Sequence, residues 1–130
     1  MLRSVLAIGI AAALAASLIA QRAPAPTCLH GASEKADQRA RRMAALEFAK
    51  RVNFIEGEGK LQAQQYFMLQ DLPELPAVPQ GFKVQLSNDG TSYALSLKDT
   101  LDPCGFAYFS DQDGVIYSAT PVPPAPGRAK

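Results

Sequence analysis

The chain has 130 residues, with 13 Lys and Arg against 12 Asp and Glu and a formal net charge of +1. A balance so close to neutral gives no electrostatic footprint for a phosphate backbone, which argues against nucleic-acid binding. One histidine and two cysteines leave little material for a catalytic base or a metal cluster.

Met1-Leu2-Arg3 supplies a positive charge, and Ser4 to Ala20 carries none and is dominated by Ala, Leu and Ile. A basic start, an apolar run and small residues around Ser17 and Ala20 are the parts of a secretory signal, with cleavage after Ala20. The alternative is a retained membrane anchor, because the run reaches the short edge of the roughly 17–25 residues that span a bilayer. Removal of residues 1–20 leaves about 110 residues, one domain with a modest core, and equal numbers of basic and acidic groups. Residues 21–32, with Pro24 and Pro26, read as a linker. Ala25-Pro26-Thr27 ahead of Cys28 is not the small apolar run that lipid attachment requires.

Cys28 and Cys104 are the only cysteines. In an exported chain such a pair forms a disulfide more often than two separate thiols. Closing so long a loop would stabilise by ~4 kcal/mol on the chain-entropy model.

The pattern turns helical from Ser33, a candidate N-cap with Glu34 and Asp37 in the first turn. Ala45, Phe48, Val52 and Ile55 share one face, with Met43, Leu46 and Ala49 beside them. Asp37–Arg41 and Glu47–Arg51 are spaced as i,i+4 ion pairs, so Arg39, Arg41, Arg42, Lys50 and Arg51 read as a solvated face. Gly57 and Gly59 predict a break, and Leu61 to Leu72 a second helix ended by Pro73. Pro73, Pro76 and Pro79 then make a stiff crossing to Gly81.

Gly81 to Thr120 reads as four strands. Phe82, Val84 and Leu86 alternate with polar neighbours, Asn88-Asp89-Gly90 turns the chain, and Tyr93, Leu95 and Leu97 alternate again. Phe106 to Phe109 is apolar on both faces, as for a central strand under a cover, and Asp111-Gln112-Asp113-Gly114 leads into Val115-Ile116-Tyr117. The expected fold is α+β, a long N-terminal amphipathic helix packed on a four-stranded antiparallel meander over residues 33–120. Residues 121–130 are Pro-rich and read as a disordered tail.

Chemistry-bearing residues are sparse. His30 lies two residues from Cys28, which gives two ligands where a metal site wants three or four. Asp111-Gln112-Asp113-Gly114 has the look of a calcium loop, but Phe109 precedes it and no Glu closes it, so a hairpin turn is expected. Glu56 and Glu58 sit at the glycines with no base beside them, and Asp99 and Asp102 belong to a Pro turn and read as turn formers. No catalytic residue, cofactor or metal ligand is expected, and the site residues reduce to the cystine Cys28–Cys104.

The order of parts resembles type IV pilins and the pseudopilins of type II secretion. Val52-Asn53-Phe54-Ile55-Glu56, Leu72-Pro73-Glu74-Leu75-Pro76, and Gly105-Phe106 with Gly114-Val115-Ile116-Tyr117 are similar to the helix, the αβ-loop and the closing hairpin of small pilin-like heads. The resemblance covers residues 40–120 and lacks the prepilin leader motif, since Gly9 is followed by Ile10 and Leu14 stands where the mature pilin helix has Glu. It implies a pilin-type head exported by an ordinary signal to the periplasm or beyond. Such a head would be non-enzymatic and would act on protein partners of the cell envelope or of a secretion or pilus system. The rivals are a membrane-anchored assembly subunit, if residues 4–20 are retained, and a small ligand-binding domain or hydrolase.

Overall fold

The computed structural model describes residues 24–32 and 34–121. The proposed signal or anchor, Ser33 as N-cap and the tail after Pro121 lie outside the described residues. Helix α1 spans Ala36–Ala63, a single turn of 3-10 helix spans Leu69–Asp71, and four strands follow. These are β1 (Phe82–Asn88), β2 (Tyr93–Asp99), β3 (Ala107–Asp111) and β4 (Ile116–Ala119). They form an antiparallel sheet in the order β1-β2-β3-β4, so the described residues are α+β, with one α-helix on a four-stranded sheet.

The period-2 reading of the strands sets the sheet's two faces. Val84 and Leu86 of β1 stand opposite Leu97 and Leu95 of β2, and Leu97 stands opposite Tyr108 of β3. Their side chains meet Ala45, Phe48, Ala49, Val52 and Ile55 of α1 in one core, which Phe82, Tyr93 and Phe106 complete. Each such large side chain removed from water contributes roughly 1.5–3 kcal/mol. Phe109 corrects one expectation. It lies on the opposite face of β3 from Tyr108 and is 45% exposed, because among the described residues none covers that side.

The helix departs from its predicted limits at both ends. It begins at Ala36, where the Gln38 side chain accepts the Lys35 N–H at 3.0 Å, and Glu34 lies ahead of it. At the far end it runs through Gly57 and Gly59 without a break. Each glycine costs about 1 kcal/mol in a helix, and burial of Ile55 and of Phe67 along this turn offsets that cost. Gly59 is needed for close approach, because a Cβ there would overlap the Phe67 ring. Gln64, in the left-handed conformation with φ 61°, caps the helix and reverses the chain. That reversal turns Tyr66, Phe67 and Leu72 back onto the core, so Leu61–Leu72 is not a second helix.

Candidate functional site

Two regions stand out: a polar corner at the N-terminal end of α1, and the open face of the sheet. The corner is built by the turn after β2. Asp99 Oδ1 accepts the Leu101 N–H at 2.9 Å and the Asp102 N–H at 3.1 Å. Asp102 Oδ1 accepts the Cys104 N–H at 2.9 Å. Each aspartate thus bonds the backbone two residues on, the Asx-turn habit that Asp brings to loops. Pro103 fixes φ directly after Asp102, and Gly105, at φ +67°, lies where a Cβ would stand 2.8 Å from Pro121.

These two aspartates do more than turn the chain. Asp99 is 1% exposed and takes Arg41 Nη1 at 2.8 Å, 58 residues away in sequence. The Asp102 side chain is closed to solvent, accepts the Leu29 N–H at 3.2 Å and meets His30 Nδ1 in a short contact. Burial alone would raise its pKa, but the hydrogen bonds from Cys104, His30 and Leu29 outweigh burial and hold it below the usual aspartate value. His30 also leans on the Phe106 ring, centroid to centroid 5.0 Å. Cys28 and Cys104 are bonded to each other, with Cα atoms 5.2 Å apart and a sequence separation of 76.

Arg42 completes the corner. It grips Glu34 through two nitrogens, Nη2–Oε2 being 2.6 Å, and lies 5.0 Å over the Phe106 ring. The Arg42 hydrogen bond pulls the Glu34 carboxyl below its ordinary value, against an opposing burial effect. The predicted pairs Asp37–Arg41 and Glu47–Arg51 do not form. Glu47 meets Lys50 instead, and Arg51 meets Glu74. Arg41 and Arg42 therefore leave the predicted solvated face and turn inward, because a buried carboxylate is a far stronger partner than an exposed one.

Among the described residues, Cys28, Asp102 and Cys104 are the His, Cys, Asp or Glu group with metal-ligand spacing, their donor atoms lying within 4.8 Å of one another. As a cystine, the two sulfurs offer no thiolate. Asp111 and Gly114 make the expected hairpin turn, closed by Gly114 N–H to Asp111 O at 2.9 Å. Glu56 is a further departure from the sequence reading. It is fully buried and accepts the Phe67 N–H at 2.9 Å, while Oε1 has no protein partner. Burial raises its pKa, and the Phe67 hydrogen bond only partly opposes that. Asn53 ties the helix to the sheet next door, its Oδ1 accepting the Tyr93 and Ser110 hydroxyls, each at 2.9 Å. Burial, aided by the Glu56 charge, pushes the Tyr93 phenol up to about 12.

The open face is simpler. Gln85, Ser96, Phe109 and Tyr117 stand in one row across all four strands, and Lys83, Lys98, Ala107 and Ala119 in the next. Phe109 and Tyr117, a cross-strand pair, are 45% and 58% exposed. Lys83 and Lys98 face each other directly, a like-charge pairing that is mildly unfavourable in the isolated chain. A shallow depression lined by Gln85, Ser96, Lys98, Ala107 and Phe109 runs between them.

No protein-family model, no curated protein and no solved structure matches this chain. Among the described residues, no helix is long and apolar enough to cross a membrane.

Proposed function

We propose that the chain is a small exported, non-enzymatic interaction module with a pilin-like head, acting on a protein of the cell envelope as an accessory to a secretion or pilus system. The observation that carries this reading is the open sheet face, where the Phe109–Tyr117 aromatic pair stands beside the Lys83–Lys98 pair. Exposed aromatic side chains are enriched at protein contacts, and the two lysines, without an ion-pair partner among the described residues, would complement acidic groups on the partner. The cystine is compatible with an oxidising, exported location. Among the described residues one α-helix precedes an antiparallel meander, which is part of the order on which the pilin resemblance rests.

A photo-crosslinking residue at Phe109 or Tyr117, expressed in the native envelope, tests this. Crosslinks to a defined envelope protein from these two positions, and none from the exposed Met43 on the helix, are expected. Equal crosslinking from Met43, or none from the sheet, would sink the sheet-face reading. A second reading, an assembly subunit anchored by residues 4–20, is favoured by the uncharged run Ser4 to Ala20. Intact mass of the native protein separates the two, because an anchored subunit keeps that segment and fractionates with the membrane.

A further inference from the structure

The polar corner brings two short segments of matching pattern side by side. Cys28-Leu29-His30 and Asp102-Pro103-Cys104 each carry two donor residues with one residue between them. Cys28 Sγ, a carboxylate oxygen of Asp102 and Cys104 Sγ all lie within 4.8 Å of one another, and His30 Nδ1 is in contact with Asp102 Oδ2. We infer that reduction of the Cys28–Cys104 bond converts this corner into a zinc site, ligated by both sulfurs and Asp102, with His30 as the group that orients the carboxylate.

The geometry needs little rearrangement. Tetrahedral zinc with Zn–S near 2.3 Å places two thiolate sulfurs about 3.8 Å apart. Cα atoms 5.2 Å apart reach that separation by side-chain rotation alone. The backbone need not move, because Asp102 bonds the N–H of Leu29 in one segment and of Cys104 in the other. Charge favours the same outcome. The metal-bound form would set two thiolates beside the solvent-closed Asp102 carboxylate, and the charge of Zn2+ offsets the burial of those anions. A ligating carboxylate held by an outer hydrogen-bond partner is the usual support of a metal centre.

The chemistry balances with a dithiol reductant. Its thiolate attacks one sulfur, the Sγ–Sγ bond breaks, and the reductant closes to its own disulfide. The two electrons it gives up, with two protons, leave Cys28 and Cys104 as thiols. Zn2+ then displaces those two protons to solvent. This site is independent of the open sheet face, so either proposal can fail without the other.

The test is a titration of the full chain, oxidised and then reduced and desalted, with Co2+ as the spectroscopic probe and Zn2+ as the competitor. The reduced chain is expected to take one Co2+, with thiolate-to-cobalt charge-transfer absorption and tetrahedral d–d bands, and the oxidised chain none. His30→Phe keeps the ring on Phe106 and is expected to weaken binding about 10–100-fold, as loss of an outer partner does. Asp102→Asn should weaken it further. No binding by the reduced wild type would overturn the inference. So would affinity unchanged by His30→Phe, or affinity equal to that of the reduced chain in urea, because either means chelation by any two free thiols.

Discussion

The two ends of α1 hold the same sheet by different means. At the N-terminal end the attachment is charge and covalent bond: Arg41 on Asp99, Arg42 on Glu34, His30 on Asp102, and the cystine behind them. At the C-terminal end it is apolar contact, with Phe67 folded over Gly59 and one carboxyl, Glu56, sealed in without a cationic partner. The first kind of attachment is strong but conditional on partners staying ionised and oxidised. The second is indifferent to both, apart from the buried glutamate. The molecule is therefore wired at one end and packed at the other.

The largest effect should come from the wired end. Cys104→Ser is expected to cost about 4 kcal/mol, the chain-entropy value for so long a loop, read as the drop in urea stability against the oxidised wild type. Arg41→Met comes next. It strands the buried Asp99, whose Oδ2 already lacks a partner, and should cost about 3–5 kcal/mol. A loss under about 1 kcal/mol would mean that solvent reaches the Asp99 carboxylate once Arg41 is gone, and that the wiring is only geometric.

The packed end gives smaller, sign-dependent effects. Gly57→Ala meets nothing within 4 Å and should stabilise by about 0.5–1 kcal/mol through helix propensity. Gly59→Ala gains the same propensity but pushes into Phe67, so it should instead cost about 1–3 kcal/mol. Equal effects at the two glycines would remove Phe67 from the packing.

Acid distinguishes the ends in a further way. The Glu56 pKa is raised above its usual 4.5 by burial. Its favourable contribution is complete below that value and is lost as pH rises through the higher folded-state value. Glu56→Gln should then outstabilise the wild type at neutral pH, by about 1 kcal/mol, and lose that advantage near pH 4. Asp102 behaves oppositely. Its lowered pKa gives stability above the usual 3.8, which fades as pH falls through the folded-state value. The smallest effect belongs to an exposed pair: Arg51→Ala, which breaks the contact with Glu74, should change stability by less than about 0.5 kcal/mol. Chemical denaturation at two pH values measures all of these.

Much of the sheet was legible in the sequence because its signals are local. Alternation in Phe82–Leu86 and Tyr93–Leu97, with Asn/Asp-Gly turns between strands, is written into adjacent residues. The apolar helix positions Ala45, Phe48, Val52 and Ile55 were equally readable and all lie in the core. The corner was not, because its contacts are long-range. Arg41 has a suitable partner four residues back in Asp37, and nothing local says that Asp99 competes for it from the end of β2. Gly57 and Gly59 look like breakers until Phe67 is known to return across them. One clue was available: pairing Cys28 with Cys104 also pairs the residues beside them, so Asp102 could have been placed against His30. A carboxylate written as a turn former can also be an acceptor for distant groups, and spacing alone does not separate the two roles.

The cystine also decides which part of the molecule bears a mechanical load. Tension applied at residues 24 and 121 passes from Cys28 directly to Cys104 and bypasses α1, β1 and β2, which lie in the slack loop between them. Only the chain beyond Cys104, carrying β3 and β4, can peel away, lengthening by at most ~3.3–3.6 Å per residue freed. Those two strands carry Phe109 and Tyr117, so the first thing a pull would dismantle is the exposed aromatic pair. Once the sulfurs part, the same pull reaches the helix.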